Sequence, residues 1–121
     1  MPKNLEITTL YDFYGDLLTE KQQEVIELYY NEDLSLAEIA AHSGITRQGV
    51  RDSIKRAEFQ LNELEQQLGL ASRFRSIHTS LEDIVKNTAE IDRLNMRLYG
   101  SKEITDRVGR INELARRIAE Q

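Results

Sequence analysis

Apolar positions recur along this chain at steps of three and four almost from end to end, the spacing of helices that each bury one face. Leu10, Phe13, Tyr14 and Leu17 share one side of a first helix predicted over about Leu5 to Leu18. Thr19 ends it and, with Gln22 three residues on, offers the reciprocal capping box that opens a second. Val25, Ile26, Leu28 and Tyr29 supply the apolar side of that helix, and Asn31, Glu32 and Asp33 form a polar stop. Ser35 and Glu38 repeat the capping box ahead of Leu36, Ile39 and Ala40, which start a short third helix. Ser43 and Gly44 break it, Gly44 being free to take the left-handed conformation of a tight helix exit. Thr46 caps a fourth, longer helix whose core face runs through Val50, Ile54, Ala57, Leu61, Leu64 and Leu68. Short helix, glycine turn, longer helix is the sequence form of a helix-turn-helix unit.

Beyond Gly69 the pattern becomes a heptad. Leu70, Ile77, Ile84, Ile91 and Leu98 fall at one position of the repeat, and Phe74, Leu81, Thr88 and Asn95 at the other. Gly100 and Ser101 make an exit and restart, after which Ile104, Val108, Ile111, Ala115 and Ile118 continue the alternation in a last helix from about Lys102 to Ala119. Two such helices around a short connection predict an antiparallel hairpin within the chain or a seam shared with a second chain, and periodicity does not choose between them. The expected organisation is all-α: a helix-turn-helix domain over residues 1–68 and a C-terminal helical extension over residues 69–121. A homodimer is expected through the C-terminal stripe, with Leu70, Phe74, Ile77, Leu81 and Ile84 as its contact residues.

Charge complicates the reading of the first half. The 121 residues carry a formal net charge of -5, and residues 1–34 alone hold eight acidic and two basic side chains. An acidic chain repels a polyanion at long range, although recognition depends on the local field. That local field is positive after Thr46. With Val50, Ile54 and Ala57 facing inward, Arg47, Arg51 and Lys55 share an exposed stripe at i, i+4 spacing, with Gln48 beside them and Arg56 extending it. Arginine makes paired contacts to guanine, glutamine makes them to adenine, and lysine neutralises phosphate. Thr46, Arg47, Gln48, Arg51, Lys55 and Arg56 are therefore the candidate nucleic-acid contacts, with Asp52 and Glu58 reducing the field around them.

Little else in the sequence suggests chemistry. Asp12, Asp16, Glu20, Glu24 and Glu27 have no histidine near them in sequence and read as a solvated surface, and no nucleotide-binding glycine loop is present. His42 and His78 stand alone, without the converging ligands a metal needs. No enzyme activity, cofactor or metal is expected. Cysteine is absent, no apolar run approaches the length of a membrane span, and no signal-peptide pattern opens the chain, so no membrane insertion and a cytosolic location are expected.

The run YDFYGDLLTEKQQEVIELYYNEDLSLAEIAAHSGITRQGVRDSIKRAE, Tyr11 to Glu58, resembles the YlxM family, small bacterial helix-turn-helix proteins associated with the signal recognition particle. The combination of Phe13, Tyr14, Leu18, Thr19, Gln22 and the turn Gly44–Gln48 carries the resemblance. Residues Glu20 to Glu58 also resemble the sigma factor domain, region 4, that reads the upstream promoter element. The resemblance implies a regulatory adaptor that binds the particle's protein or RNA component; the alternative is a DNA-binding transcriptional regulator. Thr46, Arg47, Gln48, Asp52, Lys55 and Arg56 match the family pattern, whereas Gly49 and Arg51 depart from it, so no base preference is inherited. From Gly69 onward the match is expected to be poor.

Overall fold

Four of the six helix starts in this chain are fixed by side chains that accept hydrogen bonds from the backbone three residues ahead. The computed structural model, which describes residues 1–121, contains six α-helices and no strand. They are α1 (Glu6–Tyr14), α2 (Glu20–Ile26), α3 (Leu36–Ser43), α4 (Arg47–Leu68), α5 (Leu70–Leu98) and α6 (Lys102–Ala119). Thr19 and Ser35 both form complete capping boxes, with Gln22 and Glu38 reaching back to the cap amides at 3.0 and 3.1 Å. Thr46 and Ser101 cap α4 and α6 by accepting from the amides of Gly49 and Ile104. Each such cap stabilises its helix by about 1 kcal/mol. Gly44, at φ 69°, and Gly69, at φ 64°, end α3 and α4 in the left-handed region, where any other residue is strained.

The chain divides into two compact units, Met1–Ser72 and Arg73–Gln121. In the first, α4 packs against α1, α2 and α3, and its Val50, Ile54, Ala57 and Leu61 are completely shielded from solvent. Ile7, Tyr14, Val25, Ile26 and Ile39 close the same core. Two apolar residues expected there lie outside it, Leu17 and Leu68. The reason at Leu17 is that α1 stops at Tyr14 and tightens into a 3-10 turn over Gly15–Leu17. Gln23 holds that turn by donating to the carbonyls of Gly15 and Leu18 at 2.9 and 3.1 Å, which rolls Leu17 outward. At the other end of α2 the chain widens into a π turn over Glu27–Asn31, and Asp33 comes next at φ 58° after Glu32.

A polar joint ends this unit. The Tyr14 hydroxyl donates to Glu65 Oε1 at 2.5 Å and accepts from the Leu70 amide at 3.0 Å. The two carboxylate oxygens of Glu65 accept from the amides of Ala71 and Ser72, each at 3.0 Å. One side chain of α4 thus caps the first turn of α5, satisfying amides that a helix start otherwise leaves without partners.

Tyrosines make the first unit sensitive to alkali. Burial, then the hydrogen bond to Glu58 Oε2, pushes the Tyr30 hydroxyl up to about 12. Burial and Glu27 likewise push Tyr11 up to about 12, and burial and Glu65 raise Tyr14. A tyrosine that ionises near 10 when unfolded and near 12 when folded contributes stability that is whole below pH 10 and lost as pH rises through 12. The loss is at most about 1.4 kcal/mol per pH unit for each tyrosine, and less where solvent screens the hydroxyl. Thermal unfolding midpoints should therefore fall steeply above pH 10, and Tyr30→Phe should make that fall shallower. An unchanged slope in the variant would remove Tyr30 from the explanation.

In the second unit α5 and α6 form an antiparallel hairpin within the chain, one of the two arrangements the periodicity allows. The heptad stripe divides. Leu81, Thr88 and Asn95, seven residues apart, are buried against Val108 and Ala115, while Leu70, Phe74, Ile77, Ile84, Ile91 and Leu98 stay exposed. The two polar members are thus inside the hairpin, because the turn brings polar partners to them. Asn95 accepts from the Ser101 amide at 2.9 Å and donates to the Ser101 carbonyl at 2.9 Å and to Thr105 Oγ1 at 3.2 Å. Thr88 Oγ1 donates to Asn112 Oδ1 at 2.6 Å.

Candidate nucleic-acid interface

The α4 register decides what faces solvent after Thr46. Since Val50, Ile54 and Ala57 point into the core, Arg47, Gln48, Arg51, Asp52, Lys55 and Arg56 all lie on the exposed side of the helix. Thr46 is exposed at the cap, and Gly49 and Ser53 are half-buried where the helix turns inward. Arg47, Arg51, Lys55 and Arg56 form no ion pair within the chain, so four cations stand beside a single acid, Asp52, over the first three turns. Their charge is not neutralised internally, and binding an anion there breaks no existing pair.

Gln48 differs from these. Its Nε2 donates to Asp52 Oδ1 at 2.9 Å, an i, i+4 bond along the helix surface. Asp52 is thereby held against Gln48 rather than against a neighbouring cation, and Gln48 must give up that bond before it can read a base edge. The Thr46 hydroxyl is likewise engaged with the Gly49 amide at 3.0 Å. A Cβ at position 49 would lie 3.2 Å from that hydroxyl, so glycine leaves the cap undisturbed.

One cation escaped the sequence reading. Lys21, in the first turn of α2, lines a depression of roughly 520 Å³ together with Thr19, Gly49, Asp52 and Arg56. Only the packing of α2 on α4 brings it there, since twenty-five residues of intervening chain hide the proximity. It extends the basic side of the helix-turn-helix toward the start of α2.

The sequence-derived contact residues of the C-terminal stripe separate in the structure. Leu70, Phe74, Ile77 and Ile84 are each exposed to about two-fifths of their surface, whereas Leu81, at 7%, is enclosed in the hairpin of its own chain. Phe74 packs against His78 with the rings tilted at 45° and their centroids 4.2 Å apart. His42 closes α3 beside Glu24, at 3.4 Å.

A helical unit with a left-handed glycine turn between α3 and a capped, basic α4 matches a protein family over residues 1–99. Its description is UPF0122, "Putative helix-turn-helix protein, YlxM / p13 like". The chain belongs to this family. A UPF0122 protein of Acetivibrio thermocellus is 41% identical over 114 residues, covering 94% of this chain and 97% of that protein. A UPF0122 protein of Desulforamulus reducens is 52% identical over 80 residues, covering 66% of this chain and 68% of the other. The similarity thus continues well past Gly69, where a poor match was expected from the sequence, and takes in the whole of α5. No helix is long and apolar enough to cross a membrane.

Proposed function

We propose that this UPF0122 protein is a cytoplasmic regulatory adaptor of the signal recognition particle pathway, which grips the particle's RNA through the first turns of α4. The observation that carries the reading is the exposed, internally unpaired stripe Arg47, Arg51 and Lys55 along one side of α4, with Arg56 also unpaired about 100° further round the helix. Phosphate contacts of this kind supply affinity without requiring sequence. The acidic side chains of α1 and α2 suit a basic protein instead, which is how the same adaptor would meet the particle's protein component. Purified chain, mixed in low salt at micromolar concentration with the particle's RNA, its protein, or both, should elute with one of them from a sizing column. Separate elution in all three mixtures would end the adaptor reading.

A second reading, transcriptional regulation through DNA, is favoured by the turn itself: α3, Gly44 and a capped α4 are the parts a major-groove reader needs. Here Arg47→Ala or Gln48→Ala should relax selectivity at one base pair, costing about 1–3 kcal/mol on the preferred duplex, while Lys55→Ala should weaken all sequences evenly. Genomic fragments that enrich no better than random DNA would remove this reading.

A further inference from the structure

The hairpin of α5 and α6 is poorly provided with an interior of its own. Its buried residues are Leu81, Thr88, Asn95, Val108 and Ala115, two of them polar and one an alanine. Larger apolar side chains of the same two helices are outside. Ile77, Ile84, Ile91 and Leu98 of α5 are 40–58% exposed, and on α6 Ile111 and Ile118 are 42% and 50% exposed.

These side chains share one face. On α5 each lies four residues before or three after a buried seam residue, a rotation of about 50° to one side of the seam. On α6 the same offsets from Val108 and Ala115 lead to Ile104, Ile111 and Ile118. Because the helices run antiparallel, equal rotations about each axis point both sets to the same side of the hairpin. The opposite side carries His78, Val85, Asp92 and Asn112; a largely apolar depression lies there around Val85 and Ala119, but Glu82, Lys86 and Arg116 ring it and no row of large aliphatic side chains repeats along it.

We infer that a second copy of this chain covers the isoleucine face, so that two hairpins form a four-helix bundle around a core that neither contains alone. Three features select another copy over a different partner. The exposed residues repeat every seven positions on both helices, the spacing at which helices of a bundle interlock in layers. The centre of the face carries no charge, Arg73 and Arg107 standing at its edges, and a two-fold interface sets the same patch against itself. With Leu94 and Leu114 at its edges, 38% and 40% exposed, it offers roughly 600 Å² of apolar side chain per copy, so a pair buries roughly 1,200 Å², the threshold of stable specific interfaces. The contact residues differ from those read off the heptad: Leu81 belongs inside each hairpin, and Ile91, Leu98, Ile111 and Ile118 belong between hairpins.

The test uses the full chain with no nucleic acid present, so its outcome is independent of the ligand proposed above. Light scattering at micromolar concentration should give twice the 14.0 kDa chain mass. Ile84→Glu with Ile111→Glu should weaken self-association at least about a hundredfold, while Val85→Glu on the opposite face, a position of similar exposure, should leave it unchanged. Since the chain has no cysteine, single thiols report the contact without the risk of unfolding it. Placed in turn at positions 77, 84, 91 and 111 and mildly oxidised, at least one should give a covalent dimer, and Val85→Cys should not. A wild-type chain of single mass, or a dimer that loses its association only through Val85→Glu, overturns the inference, as does cross-linking confined to position 85.

Discussion

Replacing Glu65 by alanine is expected to destabilise the N-terminal unit by about 2–4 kcal/mol, far more than an ordinary half-buried glutamate, because three hydrogen-bond donors lose one acceptor at once. The donors are the Tyr14 hydroxyl and the amides of Ala71 and Ser72. Bonds to a charged acceptor contribute about 1.5–3 kcal/mol each, and donors left buried without a partner add their desolvation. The carboxylate also stands at the positive end of α5, favourable by about 0.3–1 kcal/mol, and near the negative end of α4, unfavourable by a similar amount, so the helix dipoles nearly cancel and the hydrogen bonds decide. Glu65→Gln keeps one acceptor oxygen and should recover part of the loss. Tyr14→Phe strands the Leu70 amide and leaves Glu65 Oε1 with one donor fewer, the Ala71 amide remaining, and should couple to Glu65→Ala in a double-mutant cycle. Denaturant titration gives the stability, and amide exchange at Ala71 and Ser72 localises it. Unchanged protection at those two amides in Glu65→Ala would refute the joint, whatever the global stability does.

This joint was invisible in the sequence for a simple reason. Capping boxes are local, three residues from cap to reply, and so Thr19 with Gln22 and Ser35 with Glu38 could be read directly. Glu65 and Tyr14 are fifty-one residues apart, and nothing in a linear pattern marks a glutamate in the last turn of one helix as the cap of the next. The same distinction separates the readable part of the candidate interface from the rest. Arg47, Gln48, Arg51, Lys55 and Arg56 can be placed from the phase of a single helix, which Val50, Ile54 and Ala57 set. Lys21 reaches that side only through packing.

The hairpin shows a third kind of limit. Heptad spacing picked out Leu81, Thr88, Asn95, Val108 and Ala115 but not their partners Thr105 and Asn112, and it placed Leu81 and Ile84 in one stripe where the structure separates them by burial, 7% against 40%. A single helix with residues at two heptad positions has two directions available, and which one meets α6 depends on where α6 finds hydrogen-bond partners. Asn95 settles this by bonding the backbone at Ser101, and Thr88 by reaching Asn112. Polar groups, which weaken a seam in a hydrophobicity profile, here select it. Their burial is tolerable because each has a partner in place.

Reversing the charge at Arg47, Arg51 and Lys55 together, to glutamate, is expected to weaken nucleic-acid binding at least about a hundredfold at moderate salt, with little effect on folding. Each phosphate neutralised contributes about 0.7 to 0.9 to the dependence of log affinity on log salt, so losing three contacts should flatten that dependence by about 2 to 3. Reversal further sets three new carboxylates beside Asp52 on the same face, where they repel the phosphates that the cations attracted. Folding should change by less than about 0.5 kcal/mol, because all three side chains are exposed and none is paired within the chain. The measurement is affinity against salt concentration for the preferred RNA or duplex, alongside thermal unfolding of both proteins. A reversed variant that binds with the parent's affinity and salt slope would mean that α4 contributes a core face and nothing more, and that the helix-turn-helix serves only to hold the fold together.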